Sequence, residues 1–323
     1  MNNSSQGDPT VSKDYPQQPW DQEVENDVRI LVRLAIHEDL GRGQDWTTVI
    51  LVPAESECQA EIVARQSGVL AGVDAVTVVL DEIQADATWH PMGRDGQVLG
   101  AGSVIGTLMG SARDILTAER TVLNLLGRLC GVATLTKSYC DHIEGTQARI
   151  YDTRKTTPGW RRLEKYAVKR GGGYNHRLGL NKAVMIKDNH LAFMRSQNKM
   201  DNRPLTRAAV EQVKAFLDQT TSEDIDQDML IEVEVDSLDQ LKIVLETSPD
   251  VILLDNMSPD QLSLAVALRD ESGCQADLEA SGGVSLTTVG SVAATGVERI
   301  SVGALTHSAK TLDIGLDWKL PAG

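Results

Sequence analysis

LIEVEVDSLDQLKIVLETSPDVILLDN, residues 230–256, is the stretch whose reading decides the fold. Apolar runs fill 230–235 and 251–254 and have the length of strands. Between them Leu238, Leu241, Val244 and Leu245 recur at helical spacing, behind Asp236 or Ser237 as N-cap. A strand, a helix and another strand in this order make a parallel pair with a crossover. The style continues in both directions. Apolar runs at 148–151, 183–186, 277–280 and 299–302 bring the expected strands to six, with helices at 205–217, after Ser258-Pro259 and at 285–295. Six strands rather than eight predict an α/β unit built as an open β/α barrel.

Upstream the pattern changes. Ile30, Leu31, Leu34 and Ala35 have helical spacing, and 57–66 alternates with Ala60, Ile62 and Ala64 on one side. Residues 73–83 read as a helix, and Asp95-Gly96 as a turn before a strand at 103–109. This is an α+β region. A biotinyl or lipoyl module would need a hairpin lysine, and none occurs from 81 to 112. A long helix follows at 117–136, with Val122, Leu125, Leu126, Leu129, Val132 and Ala133 on one stripe. Arg120 lies off the stripe and by itself reads as a surface charge.

The 323 residues carry a net charge of −15, which argues against a nucleic-acid binder. No apolar run approaches the ~18 residues of a membrane span. The first twenty residues, rich in Asn, Ser, Gln and Pro, lack a secretory pattern and read as a disordered tail. Cys58, Cys130, Cys140 and Cys274 form no closely spaced pair, so a cytoplasmic, reducing location is expected. Against this acidic background, residues 151–187 hold ten bases and two acids. Such an island suits a small, highly charged anion, or else a solvated surface.

The six strands end in chemistry-bearing residues. After the first come Asp152, Thr153, Arg154 and Lys155; after the second, Lys187. Glu234 ends the third, Asp255 follows the fourth, Ser281-Gly282-Gly283 the fifth and Gly303 the sixth. In a β/α barrel these ends share one face, where active sites sit. The glycine turns can bring backbone N–H groups to a phosphate. Arginines and lysines there invite carboxylates and phosphates. Glu234 and Asp255 suit magnesium or sugar hydroxyls. Gly171-Gly172-Gly173, before His176 and Arg177, reads either as a plain connection or as a mobile loop over the pocket.

The blocks DTRKTTPGWRRLEKYAVKRGGGYNHRLGLNKAVMIKDNH (152–190), HEDLGRGQDWTT, AERTVLNLLGRLCGVAT, EVEVDSLDQL, VILLDNMSP, LEASGGVS and VGALTHSAKTLDIGLDW occur in order. Together they resemble the quinolinate phosphoribosyltransferases over residues 28–319. The resemblance implies transfer of a phosphoribosyl group from phosphoribosyl pyrophosphate to quinolinate with loss of CO2, in pyridine nucleotide synthesis. It implies an N-terminal α+β sandwich domain at 21–128, completed by 306–323, and a barrel at 129–305. Arg154, His176, Arg177 and Lys187 would surround the dicarboxylate, joined by Arg120 from the other subunit of a homodimer. Thr153 and Lys155 would line the site, with Lys155 near the pyrophosphate. Glu234 and Asp255 would meet the ribose hydroxyls and Mg2+, which makes Lys155, Glu234 and Asp255 the expected catalytic set. Ser281, Gly282, Gly283 and Gly303 would hold the 5-phosphate. Gly127, Cys130 and Trp46 depart from the commoner pattern of the family.

Two rival readings are weaker. The other large class of phosphoribosyltransferases carries two adjacent acids before a phosphate loop, whereas VILLDNMSP has one Asp followed by Asn. A non-catalytic relative would be expected to lack Lys155, Glu234 or Asp255, and all three are present.

Overall fold

The computed structural model describes residues 13–198, 202–220 and 228–319. The chain forms two compact units. One takes the stretch up to Pro16, Asp141–Arg154 and Asn175–Val302; the other takes Gln17–Cys140, Lys155–Tyr174 and the stretch from Gly303.

The second unit begins with α1 (Gln22–Leu40) and α2 (Trp46–Leu51). The Asp21 side chain caps α1 by accepting from Val24 N–H. The buried face of α1 is Val24, Val28 and Val32, while Ile30 and Leu34 of the expected stripe are exposed. Next come β1 (Glu57–Ala64), β2 (Gly68–Val69), α3 (Val73–Ile83), β3 (Ala87–Pro91), β4 (Val98–Leu99) and β5 (Val104–Ser111). On β1, Ala60, Ile62 and Ala64 are buried, as the alternation predicts. Helix α4 (Ala112–His142) follows without a break, and its expected apolar stripe is buried. A helix continuous to His142 leaves no room for a division at 128, and the unit runs on to Cys140.

Strand β6 (Arg149–Tyr151) opens the parallel sheet of the first unit, and α5 (Arg161–Arg170) returns to the sandwich. Then follow β7 (Val184–Ile186), α6 (Asp188–Asn198), α7 (Asn202–Gln219), β8 (Ile231–Val235), α8 (Leu238–Leu245), β9 (Val251–Asp255), α9 (Pro259–Ser272), β10 (Asp277–Ser281), α10 (Val289–Ala293) and β11 (Arg299–Ser301). Ser258 caps α9 in a reciprocal capping box with Gln261. The short α11 (Ala304–His307) and β12 (Ile314–Lys319) complete the sandwich, whose antiparallel order is β12-β1-β5-β3.

The six parallel strands run β6-β11-β10-β9-β8-β7, the open barrel expected from the sequence. Register carries one face across them. Arg149, Arg299, Glu279, Leu253 and Glu234 are successive partners. Residues two further along share that face, which adds Tyr151, Ser301, Ser281 and Asp255. Glu232, opposite Met185, lies there too. The other face presents Ile150, Ile300, Ala280, Leu278, Leu254, Ile252 and Val233, all buried. The apolar face thus supplies the core, and the polar face lines the barrel interior.

Residues 13–20 are not a tail. Tyr15 is 3% exposed and Gln18 is buried. Asp14 accepts from Arg149, Arg299 and the Tyr151 hydroxyl. The apolar body of Tyr15 and the charge of Asp14 fill the start of the barrel strands, a role that a low-complexity reading misses. Residues 1–12 of the expected tail lie outside the described residues.

Candidate active site

The C-terminal strand ends bring together what parallel register allows. Lys187, just past β7, forms an ion pair with Glu234 of β8. Asp255 at the end of β9 is the register partner of Ser281 at the end of β10. Asn256 adopts a positive φ of 55° and donates its backbone N–H to the Ser281 carbonyl at 2.8 Å. Its side chain donates to Asp255 at 2.8 Å. Gly282, with φ 96°, packs against Asn256 so closely that a Cβ would stand 2.9 Å from the Asn256 nitrogen. Gly283, with φ 60°, faces open space. Asn256 at positive φ and two glycines therefore hold a backbone turn beside Asp255 and Ser281.

Glu234 and Asp255 project on the same face of neighbouring strands and are only partly buried. Two carboxylates so placed, open to substrate oxygens, fit the donor set of Mg2+.

Below them lies a second cluster. His176, Glu232 and Glu279 are 5%, 0% and 0% exposed, and one ligand-type atom from each falls within 4.8 Å of the others. His176 Nε2 lies 3.2 Å from Glu232 and 3.4 Å from Glu279. The Tyr15 hydroxyl donates to Glu232 at 2.6 Å, and its ring stacks on His176 at 4.4 Å. Burial lowers the imidazole pKa, but the Glu232 and Glu279 charges outweigh it and raise it to about 10. His176 Nδ1 meanwhile lies 2.8 Å from the Arg177 N–H, an arrangement that turns Nε2 to the two carboxylates. Arg177 is buried, and burial lowers its pKa. It donates to the Ala183 carbonyl at 3.2 Å.

His176 is tied to the end of β6. The His176 N–H and the Asn175 side chain both donate to Asp152, at 2.9 and 2.7 Å. Gly171 ends α5 where a Cβ would collide with α4 at Thr136. Gly171 thus permits close packing on α4, and Gly172 takes a φ of 91°.

Arg154 and Thr153 follow β6, half-buried, and Arg154 Nε is buried without a hydrogen-bond partner. An unpaired guanidinium nitrogen suits an anionic ligand. Lys155 is exposed and belongs to the other unit, as does Gly303. There the Thr306 hydroxyl donates to the Lys155 carbonyl at 2.7 Å, and a Cβ on Gly303 would lie 3.1 Å from the Lys155 side chain. Arg120, on α4, is 75% exposed with Glu119 at 3.8 Å.

The basic island divides. Arg161, Arg162, Lys165, Lys169 and Arg170 lie on α5, where they build the sandwich unit. Arg162 pairs with Asp27 and Glu23, and Arg170 and Lys169 cover Tyr166 and Tyr174. A cavity of about 560 Å3, lined by Val184, Ile186, Val213 and Phe216 among others, opens beside β7. It contains none of Glu234, Asp255 or Ser281, so charge and register locate the site better than cavity size does.

Two family models match: the N-terminal domain of quinolinate phosphoribosyl transferase over residues 45–130, and its C-terminal domain over 132–317. The chain belongs to the quinolinate phosphoribosyltransferase family. It is 45% identical over 291 residues to the nicotinate-nucleotide pyrophosphorylase [carboxylating] of Mycobacterium leprae, covering 90% of this chain and 96% of that one. It is 40% identical over 283 residues to the probable enzyme of that name from Bacillus subtilis, covering 87% and 89%. The nicotinate-nucleotide pyrophosphorylase structure from Francisella tularensis superposes with a TM-score of 0.82 at 32% identity, covering 95% of this chain and all of that one.

Within the quinolinate phosphoribosyltransferase family, the unusual Gly127 has a local reason. A Cβ there would stand 2.7 Å from Thr311 and 2.9 Å from the Leu312 carbonyl. Cys130 takes up polar contacts, its Sγ accepting from Ala71 N–H at 3.4 Å. Tyr15, Glu232 and Glu279 are missing from the residues expected from sequence. The available signal was an acid inside each of two apolar strands, IEVEV and DLEAS, where an unpaired carboxylate is costly.

Proposed function

We propose that the chain transfers the phosphoribosyl group of phosphoribosyl pyrophosphate to quinolinate, forming nicotinate mononucleotide, pyrophosphate and CO2 in de novo NAD biosynthesis. The observation that carries this reading is the single sheet face on which Glu234, Asp255 and Ser281 meet Lys187 and the 281–283 turn. Arg154, His176, Arg177 and Lys187 bind and orient the two ring carboxylates. Ser281, Gly282, Gly283 and Gly303 receive the 5-phosphate. Glu234 and Asp255 meet the ribose hydroxyls and would hold Mg2+. Magnesium, when bound, supplies positive charge for the pyrophosphate oxygens.

The C1–oxygen bond to pyrophosphate breaks as the ring nitrogen bonds to C1. Glu234 and Asp255 stabilise the cationic character at that carbon, and Lys155 receives negative charge on the leaving group. The quaternised ring then accepts the electron pair of the carbon–carboxylate bond, CO2 departs, and the ring carbon takes a proton from water. The ring nitrogen attacks through its own lone pair, so His176 serves in binding rather than as a base.

The same reading makes the working form a homodimer in which Arg120 reaches the site of the other subunit, in keeping with its exposure on α4. A cytoplasmic setting accords with four cysteines that form no closely spaced pair in the sequence. Among the described residues no helix is long and apolar enough to cross a membrane.

The test supplies quinolinate, phosphoribosyl pyrophosphate and magnesium and follows nicotinate mononucleotide and CO2 together. Equal yields of both, lost in Lys155→Ala and Asp255→Ala, support the reading. Binding of both substrates without either product would refute it. Nucleotide formation from nicotinate alone, without CO2, would move the substrate.

A further inference from the structure

His176 is held from below by a residue that takes no part in the proposed chemistry. Tyr15 reaches the barrel interior from the segment preceding α1, with Lys13 3.8 Å from Asp250 and Asp14 bound to Arg149, Arg299 and Tyr151. Its ring lies 4.4 Å from the imidazole at an interplanar angle of 27°. Its hydroxyl donates to the same Glu232 oxygen that faces His176 Nε2. Burial and the charges of Glu232 and Glu279 push the hydroxyl pKa up, so it stays a donor. The imidazole plane is thus fixed by stacking on one face, its Nε2 edge by two carboxylates, and its Nδ1 edge by the Arg177 N–H.

We infer that Tyr15 is a positioning residue for the pyridine dicarboxylate: it fixes the ring plane of His176 and the rotamer of Glu232, and so sets affinity for that substrate alone. The inference rests on the reading that His176 meets the dicarboxylate. An alternative use of the cluster is a buried metal ion, because Glu232 Oε1 and both Glu279 oxygens lack hydrogen-bond partners. The geometry favours positioning. Nε2 already faces both carboxylates at 3.2 and 3.4 Å, and the shared Glu232 oxygen is occupied by the Tyr15 hydroxyl.

The experiment compares the full-length protein with Tyr15→Phe, Tyr15→Leu and His176→Ala, measuring quinolinate binding by calorimetry and the KM of each substrate. Thermal midpoints confirm that each variant is folded. Tyr15→Phe keeps the stack and loses the hydroxyl; it should weaken quinolinate about tenfold, the usual scale of one hydrogen bond to a charged group. Tyr15→Leu should weaken it further. The KM for phosphoribosyl pyrophosphate and kcat should stay within about twofold, a split that general loosening of the fold would not produce. Unchanged quinolinate affinity in both Tyr15 variants, with His176→Ala impaired, overturns the positioning role and leaves the His176 reading intact. Unchanged affinity in His176→Ala refutes that reading itself. One equivalent of tightly bound divalent metal in the purified protein, lost in Glu279→Gln, would also overturn the inference in favour of a metal site.

Discussion

The barrel interior has two regions built from the same alternation of residues but held in different ways. At the strand ends, Lys187, Glu234, Asp255 and Ser281 are partly open, and one ion pair, Lys187 with Glu234, joins two of them. Lower down, Asp14, Tyr15, His176, Glu232, Asp277, Glu279 and Arg299 are packed into one network with little access to water. The difference teaches where each region's free energy is used. Open charges are available for ligands, whereas buried charges must satisfy one another before the chain can fold.

The sharpest break in this comparison is Arg299→Met. Arg299 is 1% exposed and binds Asp277 at 2.8 Å and Asp14 at 3.2 Å. Removing it leaves Asp277 buried without its cation, and loss of one partner of such a pair costs roughly 3–5 kcal/mol. Urea denaturation should show that loss, while kcat of the folded fraction stays near the parent value. A midpoint within error of the parent would mean that the lower network is not structural.

The converse change is Asp255→Asn at the strand ends. Its expected cost is about 10²–10³-fold in kcat/KM, the scale of one lost charge-stabilising group. Folding stability should move by less than about 0.5 kcal/mol, as for an open site. Comparable damage to stability would erase the distinction between the regions.

That distinction also explains what was legible beforehand. The fold was readable because 251–254 is an apolar run and 230–235 is rich in Ile, Leu and Val, the two flank one amphipathic helix, and that unit recurs. The upper residues were readable because polar residues ending an apolar strand must lie at its C-terminal edge. The lower network was not. Tyr15 sits in a low-complexity stretch, and its partner Glu232 is 217 positions away, so nothing local signals the contact. Glu279 looks like one more acid in an acidic chain until register places it opposite Arg299. The glycine run 171–173 was ambiguous for a related reason: close approach and mobility select the same residue, and the collision of a Cβ at Gly171 with α4 shows only the first.

Between the two regions in expected effect stands Gly282→Ala. The position combines φ 96° with direct packing on Asn256, and strain of this kind costs on the order of 1–3 kcal/mol. The turn would shift rather than the barrel. The KM for phosphoribosyl pyrophosphate should rise while calorimetric affinity for quinolinate is kept. Equal weakening of both ligands would place the turn at the dicarboxylate instead.

The smallest effect expected is a flat pH response, and it probes the lower region through the upper one. The His176 pKa of about 10 lies above the ordinary histidine value near 6.5. A raised value means that stabilisation by the protonated form is complete below that ordinary value and is lost only as pH climbs through about 10. Between about pH 6.5 and 8.5 His176 should therefore stay protonated, and the KM for quinolinate should not change on its account. Glu279→Gln removes one of the two charges that raise the pKa. In that variant the KM should begin to rise with pH inside the same window, while the parent stays level. A parent KM that climbs steadily above pH 7 would show that the two carboxylates do not hold the proton, and that the buried network does not govern the residue it surrounds.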